Sequence, residues 1–211
     1  MKALLSLPVL LIGLCSFVLC TPTPLSPRAA ADTVAPVASL SKLTFGGPGC
    51  PQTGGEPWVY GTPTQNLTIV FASSAFQASI SGDTTTQRTY CQINLAITHA
   101  AGTQYAVDRE HFGGLANLEE GVRGRHRISY YFSGELETVA SEVEFGGPLQ
   151  REYELDEQVE ELWSSCGQGA GLNVNSEVYV TSNGVKGKRG IMTGDFGGNA
   201  LFELHLKWRA C

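Results

Sequence analysis

The stretch FELHLKWRAC, residues 202–211 at the C-terminal end of the chain, decides the class of fold. Its large apolar side chains stand at every second position, namely Phe202, Leu204, Leu206 and Trp208. The positions between them carry polar side chains, namely Glu203, His205, Lys207 and Arg209. Successive side chains of a strand point to opposite faces, so this alternation predicts a β-strand with one face in a core and the other in water.

Other segments show related patterns of alternating or β-branched residues. The predicted strands cover Leu67–Phe71, Tyr90–His99, Ile128–Phe132, Val139–Phe145 and Val174–Thr181. Asn183-Gly184 follows the last of them and suits a tight turn in which both residues take positive φ. The chain also has 25 glycines, which many short strands and turns require. Together these features predict an all-β fold, an antiparallel β-sandwich.

One segment departs from the strand pattern. Its apolar side chains stand at i, i+4, i+7 and i+8, namely Leu155, Val159, Leu162 and Trp163, with acidic residues on the other side. This spacing gathers the apolar side chains on one side of a helix. We therefore expect one short helix or helical turn at residues 155–163.

The N-terminal residues are typical of a secretory signal peptide. Lys2 precedes an apolar run that extends from residue 3 to residue 20. Pro8 and Gly13 within this run disfavour the alternative of a transmembrane anchor. We predict that residues 1–20 are removed and that the protein is secreted to the extracellular space.

The rest of the chain divides into a leader and one domain. Residues 21–42 are rich in Pro, Ala, Ser and Thr and are predicted to be flexible, and residues 43–211 suffice for a single β-sandwich domain. Loss of residues 1–20 removes one of 14 basic and none of 20 acidic side chains, which leaves a net charge of −7. An acidic surface argues against nucleic acid and anionic membranes as partners.

The cysteines that remain outside the signal peptide are Cys50, Cys91, Cys166 and Cys211. An even number of cysteines in an oxidising compartment predicts two disulfides, for which three pairings exist. We favour Cys50–Cys91 with Cys166–Cys211, since each of these bonds joins neighbouring cysteines along the sequence. The spacing Trp-x-x-Cys would then occur at both ends of one bridge, and we expect both tryptophans to pack in the core.

Motifs for catalysis, metal binding and cofactor binding are absent from the sequence. It has no Cys-x-x-Cys, no Cys or His pair with the spacing of metal ligands, and no Gly-x-Ser-x-Gly. The scattered histidines are expected to be solvated, namely His99, His111, His126 and His205. On a strand, Asp108 and Glu110 would share a face, which would suit a cation site or an acid/base pair. The leading prediction remains no catalytic residue, no metal and no cofactor.

Carboxylates are numerous in the middle of the chain, namely Glu135, Glu137, Glu142, Glu144, Glu152 and Glu154. Cleavage of a glycosidic bond requires two carboxyl groups that face each other across a sugar, about 5–10 Å apart. A solvated acidic face is the commoner arrangement of such residues. A polysaccharide-active enzyme that uses paired carboxylates is therefore an alternative hypothesis.

Three residues point towards glycans. Asn66 begins the sequence Asn-Leu-Thr and is predicted to carry an N-linked glycan in a secreted protein. Trp58 and Tyr60 lie in a Pro- and Gly-rich stretch, GGEPWVYGTP. Exposed aromatic rings there would stack on sugar rings, whereas packing against the core is the commoner arrangement.

The order of the cysteine motifs resembles a known family. The motifs are GGPGCPQ around Cys50, RTYCQINLAI around Cys91, LWSSCGQGAGLNVNSEVYV around Cys166, and the terminal FELHLKWRAC. They resemble the small secreted, mostly fungal family called domain of unknown function 4360, over roughly residues 45–211. The resemblance implies a secreted, disulfide-bonded, β-rich domain and supports the two-disulfide framework, but it implies no activity.

These observations favour a secreted, non-catalytic protein that acts at the cell wall or at a host surface, where it binds glycan. The first alternative is the polysaccharide-active enzyme described above. The second is an effector-type module that binds a partner protein.

Overall fold

The computed structural model describes residues 37–211, apart from residues 55, 65, 73, 74, 168, 170 and 195–198. The predicted signal peptide and most of the predicted leader lie outside the described residues. The first strand begins at Ala38, so the domain starts inside the leader predicted for residues 21–42. The predicted boundary at residue 43 falls within this strand.

Twelve strands and one 3₁₀ turn, Gln52–Gly54, make up the regular structure of the described residues. The strands are β1 (Ala38–Gly46), β2 (Trp58–Gly61), β3 (Asn66–Ala72), β4 (Gln77–Ile80), β5 (Thr86–His99), β6 (Thr103–Leu118), β7 (Arg123–Phe132), β8 (Val139–Gly146), β9 (Leu149–Gln158), β10 (Leu172–Thr181), β11 (Gly190–Thr193) and β12 (Asn199–Ala210).

The strands form two antiparallel sheets. Sheet A has the order β1-β5-β10-β7-β8, and sheet B has the order β2-β3-β12-β6-β11-β4, with β9 also paired to β6. Leu118 pairs with β9 through Leu149 and with β11 through Gly190, while Glu110 pairs with β9 and β12. Strands β11 and β12 therefore share one edge of β6, and β9 occupies the other. The predicted antiparallel β-sandwich is confirmed.

The core lies between the inner faces of the two sheets. Strand β5 contributes Ile93, Leu95 and Ile97, each at most 1% exposed. From the other sheet, Phe202 and Leu204 of β12 are each 1% exposed. The alternation in the C-terminal stretch thus corresponds to a strand with its apolar side chains in the core, as predicted.

The two disulfides are Cys50–Cys91 and Cys166–Cys211, which confirms the favoured pairing. Cys50 and Cys91 are 1% and 0% exposed, so this bond is part of the core. Cys166 and Cys211 are both exposed. One bond therefore lies inside the sandwich and the other on its surface.

The helix expected at residues 155–163 is absent, so this prediction is wrong. Leu155 lies in β9 and pairs with Phe112 of β6. Beyond β9 the chain stays beside β6, where the amide of Val159 donates to Asp108 O (3.0 Å) and that of Ser164 donates to Tyr105 O (2.8 Å). Strand β6 is longer than its partner β9, and these backbone hydrogen bonds satisfy the part of its edge that β9 leaves open. The hydrogen bonds to β6 therefore stabilise this extended segment more than the apolar spacing would stabilise a helix.

The Asn183-Gly184 turn has the predicted geometry, with φ of 52° and 86°. It does not join two paired strands, however. It lies on the connection between β10 in sheet A and β11 in sheet B, so the chain crosses from one layer to the other there. The residue types of Asn183 and Gly184 determine the conformation of the turn. The sheet that the next strand joins depends instead on the packing of the two sheets.

Candidate functional site

Trp58 and Tyr60 lie on β2, the strand at one edge of sheet B. They pair with Val70 and Thr68 of β3, which alternate with the buried Leu67 and Ile69. Directly paired residues of neighbouring strands point to the same face, so both aromatic side chains lie on the outer face of sheet B.

Both aromatic residues are open to solvent, with 52% of Trp58 and 58% of Tyr60 exposed. They are two residues apart, which spaces them by about 7 Å along the strand. Packing against the core, the commoner alternative for these residues, is therefore wrong. We call this pair the aromatic edge. Each ring presents an apolar surface with a polar atom at its end.

A row of polar side chains continues from the aromatic edge across sheet B. Tyr60 pairs with Thr68, Thr68 with Glu203, Glu203 with His111, and His111 with Asp156. Adjacent strands are about 4.8 Å apart, so the backbones of Tyr60 and Glu203 are separated by about 10 Å. The outer face of sheet B therefore combines exposed rings with hydrogen-bonding groups on the neighbouring strands.

Glu203 sits between two imidazoles. Its carboxylate oxygens lie 3.2 Å from His205 Nε2 and 3.9 Å from His111 Nδ1, and about 30% of each side chain is exposed. No group of three or more His, Cys, Asp and Glu side chains could hold a metal ion in the part of the chain that the structure describes. Carboxylate and imidazole groups both form hydrogen bonds, so the cluster offers donors and acceptors on this face.

A charged cluster lies near the C-terminal end of the same face. The guanidinium carbon of Arg209 is 3.8 Å from the centroid of the Trp163 ring, a cation–π contact. Glu161 accepts hydrogen bonds from Lys207 Nζ (2.7 Å) and Trp163 Nε1 (3.0 Å). The bond from Lys207 is the main reason that the pKa of Glu161 is lowered.

The two tryptophans of the Trp-x-x-Cys pairs therefore have different environments. Trp208 packs on Tyr105, with ring centroids 5.1 Å apart, and donates to Pro63 O (2.9 Å). This fits the prediction of a core residue. Trp163 lies outside the sandwich under Arg209, so the prediction of a second aromatic plug in the core is wrong.

The predicted glycosylation site, Asn66, is the first residue of β3 and pairs with His205 of β12. Its side chain is not among those described. Thr68, the third residue of the sequon, is half-buried on the outer face of sheet B. N-glycosylation of Asn66 stays a prediction.

Asp108 and Glu110 do not share a face, because a β-bulge separates them. The register moves from Arg109 opposite His205 to Val107 opposite Leu206, which leaves Asp108 as an extra residue. Asp108 is half-buried and pairs with Lys207 at 3.1 Å.

Glu110 points instead into the core, where it is 0% exposed and accepts a hydrogen bond from Tyr130. Burial raises the pKa of Glu110 to about 6. Its direct cross-strand neighbour is Glu157 of β9, whose charge also acts to raise that pKa. A fully buried carboxyl group cannot contact a ligand at the surface, so this residue belongs to the structure of the core.

His126 is also buried, contrary to the solvated position expected for it. Its Nδ1 lies 2.9 Å from Tyr153 Oη and its Nε2 lies 2.8 Å from Ser176 Oγ. Burial lowers the pKa of His126 to about 3, so the ring is neutral. His126 occupies an inward position of β7. The arginines on either side of it in the sequence led to the expectation of a solvated side chain.

The six glutamates considered as catalytic carboxylates are all exposed. Glu142 and Glu144 lie on β8 in sheet A, Glu152 and Glu154 lie on β9 in sheet B, and Glu135 and Glu137 lie between β7 and β8. Their distribution over two sheets and a connecting segment is that of a solvated acidic surface.

The fold and the two disulfides define a disulfide-bonded β-sandwich protein, and the disulfides fit an extracellular location. The chain belongs to the family described as domain of unknown function DUF4360, whose model matches residues 37–211. A relative from Arthroderma benhamiae, described as an uncharacterized secreted protein, is 32% identical over 173 residues, which cover 80% of this chain and 70% of the relative. Among the described residues, no helix is long and apolar enough to cross a membrane.

Two solved structures with a weak likeness are carbohydrate-binding modules. TmCBM61 in complex with β-1,4-galactotriose has a TM-score of 0.27 and 15% identity, with 77% of this chain and 89% of that chain covered. The family 11 module from Clostridium thermocellum, in complex with a β-1,3-1,4-mixed-linked tetrasaccharide, has a TM-score of 0.20 and 8% identity, with 83% and 91% covered. At these TM-scores the likeness carries no argument about this chain.

Proposed function

We propose that this secreted protein binds glycan at the cell wall or at a host surface, without catalysing a reaction, and that the aromatic edge is the contact site. The observation that carries the proposal is the exposure of Trp58 and Tyr60 on one face of an edge strand. Two neighbouring aromatic rings in water forgo the burial that normally stabilises such residues. A ligand with flat apolar faces, such as the C–H face of a sugar ring, restores that burial.

The polar row beside the aromatic edge supports the same proposal. A sugar stacked on Tyr60 would have Thr68 beside it and the Glu203 carboxylate about two strands, or 10 Å, away. Hydroxyl groups of a glycan both donate and accept hydrogen bonds, and this row offers hydroxyl, carboxylate and imidazole partners.

The same row supports a binding role over a catalytic one. Glu203 lies between two imidazoles, and Asp156 is paired with Arg109 at 3.3 Å. Both carboxylates thus already contact basic side chains on an open face. We therefore assign the row to hydrogen bonding.

The proposal is tested by binding of the secreted protein to a glycan array and to insoluble cell-wall polysaccharides. Trp58→Ala combined with Tyr60→Ala should weaken binding about 10- to 100-fold, since stacked aromatic contacts contribute about 1 kcal/mol or more each. Leu136→Ala is the matched control, because Leu136 is fully exposed but lies away from the aromatic edge. Its binding should equal that of the wild type.

Two outcomes would contradict the proposal. One is a wild-type protein that binds no glycan in either format, and the other is a double variant that binds as tightly as the wild type. Recovery of a host or wall protein that depends on Trp58 and Tyr60, without glycan binding, would instead favour the protein-binding alternative.

A further inference from the structure

A second polar surface lies on the other side of the sandwich, on the outer face of sheet A. We propose that it binds a neutral polysaccharide chain. The surface, here called the amide face, comprises Gln92 and Asn94 of β5, Asn173 and Asn175 of β10, and Ser129 and Tyr131 of β7. It goes beyond the proposed function because it shares no residue with the aromatic edge.

The register of sheet A arranges these six side chains in two rows of three. Gln92 pairs with Asn175, which pairs with Ser129. Asn94 pairs with Asn173, which pairs with Tyr131. The six alternate with buried apolar residues and therefore lie on the outer face, where Ser129 and Asn173 are 9% exposed and the other four are half-buried. Three adjacent strands separate the outer members of each row by about 10 Å.

Hydrogen bonds among the side chains hold the amide face in a fixed arrangement. Asn94 Nδ2 donates to Asn173 Oδ1 at 2.9 Å, and Gln92 Nε2 donates to Tyr131 Oη at 3.3 Å. Asn173 Nδ2 also donates to Ser133 Oγ at 3.0 Å, so this side chain is a fixed part of the face, whereas the amides of Gln92 and Asn94 keep donor and acceptor capacity. The side chain of Asn175 makes no hydrogen bond to another residue in the described part of the chain. A prearranged set of donors and acceptors reduces the ordering cost of binding.

A groove leads from the edge of sheet A onto the amide face. It runs between β1 and β5 and has a volume of about 420 Å³. Its lining includes Tyr90, Gln92 and Asn94, with Gly46 opposite them. Nothing lies within 4 Å of the place that a Cβ at Gly46 would occupy, so the groove is open there. The guanidinium carbon of Arg88 lies 4.6 Å from the Tyr90 centroid and holds this ring at the end of the groove.

The charge of this surface selects a neutral ligand. The amide face has no ionisable side chain apart from the Tyr131 phenol, and Glu177, two residues from Asn175 on β10, is paired with Arg88 (2.5 Å) and Arg125 (3.0 Å). The whole chain carries a net charge of −6, which disfavours anionic polymers. Amides and hydroxyls that both donate and accept hydrogen bonds match the hydroxyl groups of an uncharged sugar chain.

The test uses the full secreted protein in affinity gel electrophoresis with neutral polysaccharides, namely a β-glucan, a galactan and a mannan, and with polygalacturonate as the anionic comparison. Asn94→Ala and Asn175→Ala should each weaken retardation by a neutral polysaccharide about five- to tenfold, the loss of one or two hydrogen bonds. Asn117→Ala, an exposed amide on sheet B, is the matched control and should behave as the wild type.

The variants also separate this proposal from that of the aromatic edge. If the amide face binds independently, Trp58→Ala with Tyr60→Ala leaves part of the retardation intact, and the amide variants remove that part. If Asn94→Ala loses thermal stability, Asn175→Asp serves as the second test of the amide face. It keeps the size of the side chain but removes its two N–H donors. Retardation by polygalacturonate alone, or amide variants that equal the wild type with every neutral polymer, would overturn the proposal.

Discussion

The outer faces of the two sheets differ in where their aromatic residues stand. On sheet A, Tyr131 and Tyr179 lie on the interior strands β7 and β10, where neighbouring side chains half-bury them. On sheet B, Trp58 and Tyr60 lie on the edge strand β2, and more than half of each is exposed. Both faces follow the same period of two, yet the position of a strand within its sheet decides whether a ring is open to a ligand. Sheet A therefore offers fixed amides, and sheet B offers exposed rings.

Removal of a disulfide should give the largest loss in the free energy of unfolding, and the loss should differ between the buried and the surface bond. Alanine at Cys166 and Cys211 should lower the free energy of unfolding by about 4 kcal/mol, the loop-closure contribution for the 45-residue separation. Alanine at Cys50 and Cys91, separated by a similar 41 residues, should lower it by about 1–2 kcal/mol more because packing is also lost. Guanidinium unfolding measures both, and a larger loss for the surface pair would contradict this ranking.

Low pH tests the inner face of sheet A through His126. Its pKa of about 3 in the folded protein is below its ordinary value of 6.5. The stability it contributes is therefore present above pH 6.5 and is lost as pH falls towards 3. Between pH 6.5 and 3.5 the free energy of unfolding should fall by a few kcal/mol, measured by urea unfolding at each pH. A curve that is flat over this range would mean that the ring is not buried and neutral.

Rising pH tests the inner face of sheet B through Glu110. Its pKa of about 6 exceeds its ordinary value of 4.5, so the stability it contributes is present below pH 4.5 and is lost as pH rises through about 6. Glu110→Gln should remove about 2 kcal/mol of pH dependence between pH 4.5 and 7. The same urea series compares variant and wild type, with Glu157→Gln, its exposed neighbour, as the control for a smaller effect.

The central carboxylates of the outer faces should differ more modestly. Glu177 on sheet A is 13% exposed and lies between two arginines, whereas Glu203 on sheet B is 28% exposed and lies between two histidines. Glu177→Ala should cost about 1–3 kcal/mol because it leaves two guanidinium groups without their partner, and Glu203→Ala should cost less than about 1 kcal/mol at pH 7.5. Thermal unfolding ranks them, and equal losses would show that burial does not distinguish the two faces.

The smallest effect concerns an exposed ion pair of sheet A. Arg127 and Glu142 are 3.9 Å apart and nearly half of each side chain is exposed. Glu142→Ala should therefore change the free energy of unfolding by less than about 0.5 kcal/mol. A loss above 1 kcal/mol would mean that Glu142 takes part in a network with the buried side of β8.

Local alternation predicted the strands well, because it follows from the geometry of a single strand. Phe202 and Leu204 were assigned to the core and Glu203 to the surface from that alone. Register was not predictable in the same way. The row from Tyr60 through Glu203 to His111 depends on how four strands are aligned, and a single bulge at Asp108 inverted the expected relation with Glu110.

Competition between elements accounts for the remaining errors. The apolar spacing at residues 155–163 fits a helix, but the unpaired edge of β6 offers backbone hydrogen bonds that no helix could supply to it. His126 lies in a run of arginines whose alternate members are exposed, and only the two-sheet packing shows that its own side points inward. Such outcomes depend on partners distant in sequence, which a local pattern does not contain.

The place of β12 in sheet B has a consequence for biosynthesis. Strand β12 lies between β3 and β6, so sheet B has a gap at its middle until residues 199–210 have been made. The bond between Cys166 and Cys211 likewise needs residue 211. Folding of this sheet must therefore wait until β12 and Cys211 have been made, because the contacts that close the sheet join segments distant in sequence.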